Sequence, residues 1–360
     1  MAATRVEGFA ADGFAEARAA FEANLTNGDD VGAAFCATRD GEVVVDLWGG
    51  YADAAETRPW TADTVVGVYS TTKTMAAMTA LLLADRGELD LFAPVARYWP
   101  QFAAAGKGAI TLAQVLSHSS GLSGWREKLE PGDLYDWEKV TRLLAAQAPL
   151  WAPGTASGYH ACTHGFLIGE VVRRITGKSL ETVFREEIAE PLEADFWIGL
   201  PASEEHRAAE LIEAPMPASD RAAAFQPTDV QALTLFNMGF AVSDNATRAW
   251  RDAEIPAVNG HGNARAIARI HSLLANGGEV DGKRLMSEAG CRRALELQVE
   301  GTDLVMGMPA RFGLGFGLTG AMLPLAAPNP NTMFWGGAGG SIAIIDFDAR
   351  TSFAYTPNKM

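Results

Sequence analysis

The tetrapeptide Ser-Thr-Thr-Lys at residues 70–73 constrains this chain most, because it stands where a strand-like run changes into a helical one. Residues 64–69 are β-branched and aromatic around one glycine, a composition typical of a strand. Residues 75–86 are rich in good helix formers, and Gly87 follows them where a helix C-cap is expected. The sequence therefore predicts a strand, a turn that carries Ser70, and a helix.

That placement indicates a chemical role for Ser70 and Lys73. A serine in the first turn of a helix lies at the positive end of the helix dipole, which stabilises developing negative charge. A lysine three residues later lies on the same helix face, so its amine can reach the serine oxygen. We interpret the pair as a nucleophile and the base that activates it.

Composition and charge exclude several classes of function. The 360 residues carry a net charge of −15, which argues against a nucleic acid or an anionic membrane surface as partner. No apolar run reaches the roughly eighteen residues that a membrane helix needs. The first residues lack the pattern of a secretory signal, and Cys36, Cys162 and Cys291 are odd in number and widely spaced. We therefore expect a cytoplasmic protein with reduced thiols.

The predicted elements place strands at both ends of the chain. Residues 12–27 have the pattern of an amphipathic helix, and residues 31–38 and 42–48 that of two strands around a hairpin turn. A second strand pair, at residues 341–347 and 351–356, ends the chain. Because the strands do not alternate with helices, we predict an α/β fold of the α+β type, in which the two chain ends close an antiparallel sheet.

The same pattern predicts two domains. Residues 1–73 and 254–360 are assigned to a discontinuous α/β domain that contains the sheet. Residues 74–253 carry mostly helical patterns and are assigned to a helical domain. The active site is expected in the cleft between the two.

Two later motifs supply candidate partners for Ser70. Tyr159 follows a Pro-Gly turn and precedes a helical run over residues 162–176, which makes it a candidate proton shuttle. A buried tyrosine with a satisfied hydroxyl is the structural alternative. Trp335, Gly336 and Gly337 open a glycine-rich run before the last strand pair, a pattern typical of close backbone approach or of a bulged strand end.

Taken in order, these motifs make the chain similar to the serine β-lactamase and penicillin-binding protein superfamily, and it most closely resembles the family VIII carboxylesterases. The supporting segments are residues 48–53, 70–73, 87–100, 116–122, 153–155 with Tyr159, and 335–337. The resemblance implies a serine β-lactamase/DD-peptidase-like fold. It also implies that Ser70 is the acylated nucleophile, that Lys73 and Tyr159 move its proton, and that the N–H groups of Ser70 and Ala338 form an oxyanion hole.

Two positions depart from the superfamily pattern. Ala161 replaces the asparagine of Tyr-x-Asn, and Trp335 replaces the lysine of Lys-Thr-Gly. A tryptophan offers an apolar wall and one donor, which suits a neutral ester better than an anionic β-lactam. We therefore expect a serine carboxylesterase that hydrolyses small-molecule, short-chain esters, with weak β-lactam hydrolysis and no cofactor. A β-lactamase or D-amino-peptide hydrolase, and a penicillin-binding sensor that acylates without turnover, stay open as alternatives.

The remaining candidates are assigned to the substrate pocket or to packing. Gly336, Gly337 and His160 are expected to line the pocket. Trp125 and Tyr135 stand on a loop-like stretch and could line an acyl pocket, with ordinary helix packing as the alternative. The oligomeric state is left open.

Competing sites have less support. His160 and His164 have i,i+4 spacing but no His-Glu-x-x-His pattern, so we predict no metal site. No Gly-x-Ser-x-Gly elbow occurs. The segment that comes nearest to this motif, residues 339–343 around Ser341, begins a strand whose composition predicts burial. His118 is interpreted as structural rather than catalytic.

Overall fold

The computed structural model describes residues 5–213, 226–320 and 328–360. Its strands, in chain order, are β1 (Val6–Ala10), β2 (Gly32–Arg39), β3 (Glu42–Gly50), β4 (Val66–Gly67), β5 (Phe196–Ile198), β6 (Gly260–Gly262), β7 (Glu279–Val280), β8 (Lys283–Arg284), β9 (Val299–Thr302), β10 (Pro309–Phe312), β11 (Gly317–Leu318), β12 (Thr332–Gly336), β13 (Ile342–Asp346) and β14 (Thr351–Pro357). Its α-helices are α1 (Ala15–Asn27), α2 (Thr72–Asp85), α3 (Leu112–Leu116), α4 (Trp137–Ala146), α5 (Thr163–Thr176), α6 (Leu180–Phe184), α7 (Asp229–Leu235), α8 (Arg248–Asp252), α9 (Ala264–Ala275) and α10 (Glu288–Arg292).

A nine-stranded antiparallel sheet joins the two ends of the chain. Its strand order is β1-β3-β2-β14-β13-β12-β11-β10-β9, so the last strand pairs with β2 from the N-terminal hairpin. In that hairpin Asp40 and Gly41 have φ values of 52° and 88°, the left-handed pair that a tight turn between twisted strands requires. The predicted antiparallel sheet closed by both chain ends is therefore confirmed.

Helices cover both faces of this sheet. Residues alternate along β2, so that Ala33 and Ala37 pack with Phe21 and Leu25 of α1. Cys36, on the opposite face, belongs to the large core that also contains most of α9. The predicted helix over residues 12–27 begins later, at Ala15.

Helix α2 runs through the large core and starts at the predicted place. All residues from Thr72 to Leu83 are buried, because the helix is apolar on every side. It ends at Asp85, and Gly87 has the left-handed φ of 76° expected just after a helix. The strand before it is shorter than predicted. Only Val66–Gly67 forms a strand, in a small sheet with β5 and β6.

The strands of the large sheet come from residues 6–50 and 299–357, and helices α2 to α8 come from residues 72–252. The division into a discontinuous α/β domain and a helical domain, with boundaries at residues 73/74 and 253/254, stays a prediction. Among the helices of the described ranges, none has the length and apolar character needed to cross a membrane.

Candidate active site

Ser70 lies in the turn between β4 and α2 and is partly exposed. Tyr69, directly before it, has a φ of 42°, a left-handed value that costs energy in a bulky residue. The turn is held by Ser341, whose hydroxyl donates to the Val68 carbonyl at 2.8 Å and therefore accepts from the Thr71 hydroxyl at 2.9 Å. Ser341 thus braces the turn, in agreement with its buried position at the head of β13.

The side chain of Lys73 is fully buried and points at Ser70. Its Nζ lies 3.0 Å from Ser70 Oγ, 2.7 Å from the Ala161 carbonyl and 3.0 Å from the Ala257 carbonyl. All three partners are neutral oxygens, so none compensates a positive charge as a carboxylate would. Burial consequently lowers the pKa of Lys73 to about 7.

The phenol of Tyr159 approaches Ser70 from another side. Its hydroxyl donates to Ser70 Oγ at 2.5 Å, and its ring lies 4.8 Å from Lys73 Nζ. Burial raises the pKa of Tyr159 above its usual value, since the phenolate would lose its hydration. The structure therefore brings together the three predicted residues, with Ser70 Oγ between an amine and a protonated phenol.

The two N–H groups assigned to an oxyanion hole belong to Ser70, just before α2, and to Ala338, just after β12. Among the described residues, neither the N–H of Ser70 nor that of Ala338 donates a hydrogen bond. A Cβ added at Gly337 would lie 2.1 Å from the Val68 carbonyl oxygen and 3.1 Å from the Ser70 nitrogen, so only glycine allows this close approach. Gly336 is the exposed last residue of β12.

Trp335 belongs to an aromatic cluster next to Tyr159. The indole is 5 % exposed and stacks on the His118 ring, with centroids 5.3 Å apart and planes inclined by 16°. Its ring centroid lies 6.1 Å from that of Tyr159 and 5.8 Å from that of Phe312. The indole N–H is buried, without a partner in the described part of the chain, and the role of Trp335 as an apolar wall for substrate stays a prediction.

Three buried histidines, His118, His160 and His164, lie close enough to Lys73 to interact with it electrostatically. His160 donates from Nδ1 to the Gly158 carbonyl at 2.6 Å, so its Nε2 accepts from the Ser120 hydroxyl at 2.7 Å. His118 stacks on His164 with centroids 4.8 Å apart. Burial lowers the pKa of each histidine, and the nearby Lys73 lowers it further. The ranges that the structure describes contain no group of three or more potential ligands that could hold a metal ion.

The two aromatic residues assigned to an acyl pocket are Trp125 and Tyr135. Trp125 is 1 % exposed, donates from Nε1 to the Val140 carbonyl at 3.0 Å and meets Phe166 edge to face. Tyr135 is half-buried, and burial together with Asp244 raises the pKa of its phenol. These contacts are those of packing, the structural alternative for both residues, and a role toward substrate stays a prediction.

Asp303, which lies against Tyr159, was not among the residues predicted from the sequence. Its carboxylate is buried, and Oδ1 accepts from the Tyr159 N–H at 3.0 Å. The local sequence around residue 303 does not predict this contact, because the partner of Asp303 is a backbone amide 144 residues away. That an aspartate at the start of a largely apolar segment is buried against another part of the chain can be recognised only from the folded chain.

Comparisons with known proteins agree with this geometry. The chain is 39 % identical over 345 residues to the esterase/beta-lactamase LipL of Mycobacterium tuberculosis, a match that covers 91 % of this chain and 77 % of the relative. It is similar to the crystal structure of a family VIII carboxylesterase, with 44 % identity and a TM-score of 0.93 over 99 % of this chain and 94 % of that one.

A penicillin-binding protein homologue from Caulobacter crescentus is 40 % identical, with a TM-score of 0.92 over 99 % of this chain and 94 % of the other. The model of one family, Beta-lactamase, matches residues 17–360. With a serine, a buried lysine and a tyrosine brought together on this fold, the chain belongs to the beta-lactamase family.

Proposed function

We propose that this protein is a serine carboxylesterase that hydrolyses short, neutral acyl esters through an acyl-enzyme on Ser70. The observation that carries the proposal is the position of Ser70 Oγ, 3.0 Å from Lys73 Nζ and 2.5 Å from the Tyr159 hydroxyl. A nucleophile within hydrogen-bond distance of both a base and an acid is the arrangement that acyl transfer needs. The names of the LipL relative and of the family VIII carboxylesterase support the same reaction.

Lys73 is the general base in this proposal. A neutral amine has two N–H groups and one lone pair. The carbonyls of Ala161 and Ala257 accept the two N–H groups, which directs the lone pair at the hydroxyl of Ser70. Because burial lowers the pKa of Lys73 to about 7, a large share of the enzyme holds this neutral form at neutral pH. The raised pKa of Tyr159 keeps its phenol protonated, as a donor.

The reaction then has two halves. Ser70 Oγ attacks the ester carbonyl while its proton passes to Lys73, and the oxyanion accepts hydrogen bonds from the N–H groups of Ser70 and Ala338. Tyr159 gives a proton to the leaving alcohol and regains one from Lys73. In the second half, water gives a proton to the same pair and cleaves the acyl-enzyme, which releases the acid and restores Ser70.

The substrate preference follows from Trp335 and Ala161. Both replace side chains that would bind the carboxylate and the acylamino group of a β-lactam. A lost charge-assisted contact weakens binding by about 1.5–3 kcal/mol. Ester hydrolysis is therefore the main activity, and β-lactam turnover, which the name of LipL suggests, is the second candidate.

We also propose a cytoplasmic location. Cys36, Cys162 and Cys291 are all unpaired and buried, as expected for a protein that folds in a reducing compartment.

Mass spectrometry of the intact protein tests the proposed function. Wild-type protein mixed with p-nitrophenyl butyrate should show a transient adduct of one butyryl group together with continuing release of p-nitrophenol, and Ser70→Ala should show neither. A permanent adduct would indicate a sensor without turnover. If a cephalosporin is turned over as fast as the ester, the β-lactamase alternative replaces the proposal.

A further inference from the structure

Three consecutive backbone amides around Tyr159 are each held by a group outside their own segment. The N–H of Gly158 donates to the carbonyl of His118 at 2.9 Å, and the N–H of His160 donates to the imidazole Nδ1 of the same residue at 3.0 Å. Between them, the N–H of Tyr159 donates to Asp303 Oδ1 at 3.0 Å. The backbone that carries the phenol is therefore bound on two sides.

Asp303 is built to present one oxygen to that backbone. Oδ1 also accepts from the N–H groups of Val305 and Met306, at 2.9 and 2.8 Å, which ties the loop after Asp303 to the same atom. The N–H of Leu304 donates to the Ser157 carbonyl at 2.8 Å, so this loop lies along the segment before Tyr159. The second oxygen, Oδ2, is buried and has no partner among the described residues.

His118 is held in an unusual backbone conformation that allows both of its contacts. Its φ of 60° is left-handed, a backbone conformation that a residue other than glycine adopts only when its surroundings impose it. Because Nδ1 accepts a hydrogen bond, the ring proton is on Nε2. Rings on both faces, Trp335 and His164, fix the imidazole plane.

We propose that His118 and Asp303 are positioning residues that clamp the backbone of residues 158–160 and so place the Tyr159 hydroxyl on Ser70. Neither touches the reacting atoms. The inference rests on the proposed function, because the clamp matters only if Tyr159 transfers a proton. The hydroxyl–Oγ distance of 2.5 Å leaves little room for displacement, and a misplacement of about 1 Å can lower a rate about a hundredfold.

A double-mutant cycle tests the clamp. Asp303→Ala and His118→Ala should each lower kcat for p-nitrophenyl butyrate by about ten- to a hundredfold while KM changes less than about threefold. In a Tyr159→Phe background, the same substitutions should lower kcat by less than about threefold, because the hydroxyl that they position is already missing. Equal losses in both backgrounds would overturn the proposal and indicate general damage to the fold.

Conservative variants keep the test decisive if an alanine variant does not fold. Asp303→Asn retains an oxygen for the three amides and changes only the unpartnered atom. His118→Asn retains an acceptor and tolerates the left-handed φ. Both should keep kcat within about fivefold of wild type, with an unchanged acidic limb of the pH profile. A loss in Asp303→Asn as large as a hundredfold, or a shifted acidic limb, would mean that Asp303 acts through its charge, which contradicts the clamp.

The clamp and the proposed function fail in different ways. If Tyr159→Phe retains full activity, the proton path through Tyr159 is wrong. If Tyr159→Phe is impaired but Asp303→Ala and His118→Ala are not, the proton path stands and the clamp is wrong.

Discussion

Nζ of Lys73 and Oγ of Ser70 lie 3.0 Å apart, and the two other partners of the amine are backbone carbonyl oxygens. A positive charge at this place is stripped of water and meets no carboxylate among those partners. The same geometry serves a neutral amine well, since two N–H groups and one lone pair match two carbonyls and one hydroxyl. The protonation state of Lys73 should therefore govern both activity and stability.

The first prediction concerns the pH dependence of the activity. Because the neutral amine is the base and the pKa of Lys73 is lowered to about 7, kcat/KM for a neutral ester should rise with pH and reach a plateau above about pH 8. The raised pKa of Tyr159 places loss of its proton above the usual value of about 10, so no basic limb is expected before then. A flat profile between about pH 5 and 9 would contradict this assignment.

The second prediction concerns cooperation between Lys73 and Tyr159. Lys73→Ala and Tyr159→Phe should each lower kcat by about a hundred- to ten-thousandfold, because each removes a step of one proton path. The double variant should lie within about tenfold of the worse single variant, since groups that act as a unit are not additive. Steady-state kinetics with p-nitrophenyl butyrate measures all three.

Lys107 provides a matched control for Lys73. It is also fully buried, donates to backbone carbonyls including those of Ala104 and Ala145, and has a pKa lowered by burial to about 8. In the described part of the chain its ammonium bonds to backbone carbonyls and not to Ser70 or Tyr159, so Lys107→Ala should reduce stability but leave kcat within about twofold. If the losses of kcat in Lys73→Ala and Tyr159→Phe are fully additive in the double variant, Tyr159 serves packing rather than proton transfer.

The third prediction concerns stability. The pKa of Lys73 is lower in the folded than in the unfolded chain, so its protonated form lowers the free energy of unfolding. This destabilisation is complete at pH values below the folded pKa of about 7, and it declines as pH rises from about 7 to 10.5. Lys73→Met removes the titrating group while keeping the chain length. The free energy of unfolding of this variant relative to wild type should therefore fall by about 4 kcal/mol between about pH 6 and 10.

Urea unfolding at several pH values measures this difference. Lys107→Met should show the same sign with a smaller amplitude, because the pKa of Lys107 is less displaced. A difference that does not vary with pH would show that Lys73 is charged in the folded protein at neutral pH, and the base assignment would then lose its support.

Much of the site was predictable because its parts have local signatures. The spacing of Ser70 and Lys73 on one helix, the Pro-Gly turn before Tyr159 and the glycines after Trp335 are patterns of sequence, and the structure brings them together as expected. The hairpins at both chain ends were predictable for the same reason, since alternation and turn residues determine their register.

The residues that support the site were not predictable. Asp303 and His118 act on backbone amides, and a backbone amide is the same in every sequence except at proline. The contacts of Trp125 depend on how α4 and α5 pack, which its loop-like surroundings do not reveal. His118 was expected to be structural. Its hydrogen bonds are of that kind, because they hold the backbone of the segment around Tyr159.

The last prediction concerns the choice between esters and β-lactams. We propose that Trp335 stands where related enzymes carry a lysine that would meet an anionic substrate; its indole is buried and stacked on His118, and it would supply apolar surface instead. Wild-type kcat/KM for a butyryl ester should exceed that for a penicillin or a cephalosporin by at least about a hundredfold, the combined effect of one missing charge-assisted contact and one missing amide contact. Trp335→Lys should narrow the gap, chiefly through a lower KM for the β-lactam.

Trp335→Phe is the matched control, because it keeps a ring against His118 and adds no charge. It should retain most ester hydrolysis and should not improve β-lactam turnover. Trp335→Lys removes the stack, so the melting temperature of both variants is compared with wild type to separate lost packing from altered recognition. A wild-type enzyme that hydrolyses a β-lactam as efficiently as the ester would contradict the role given to Trp335, and so would an equal gain in β-lactam turnover from phenylalanine and lysine, since only lysine supplies the cation.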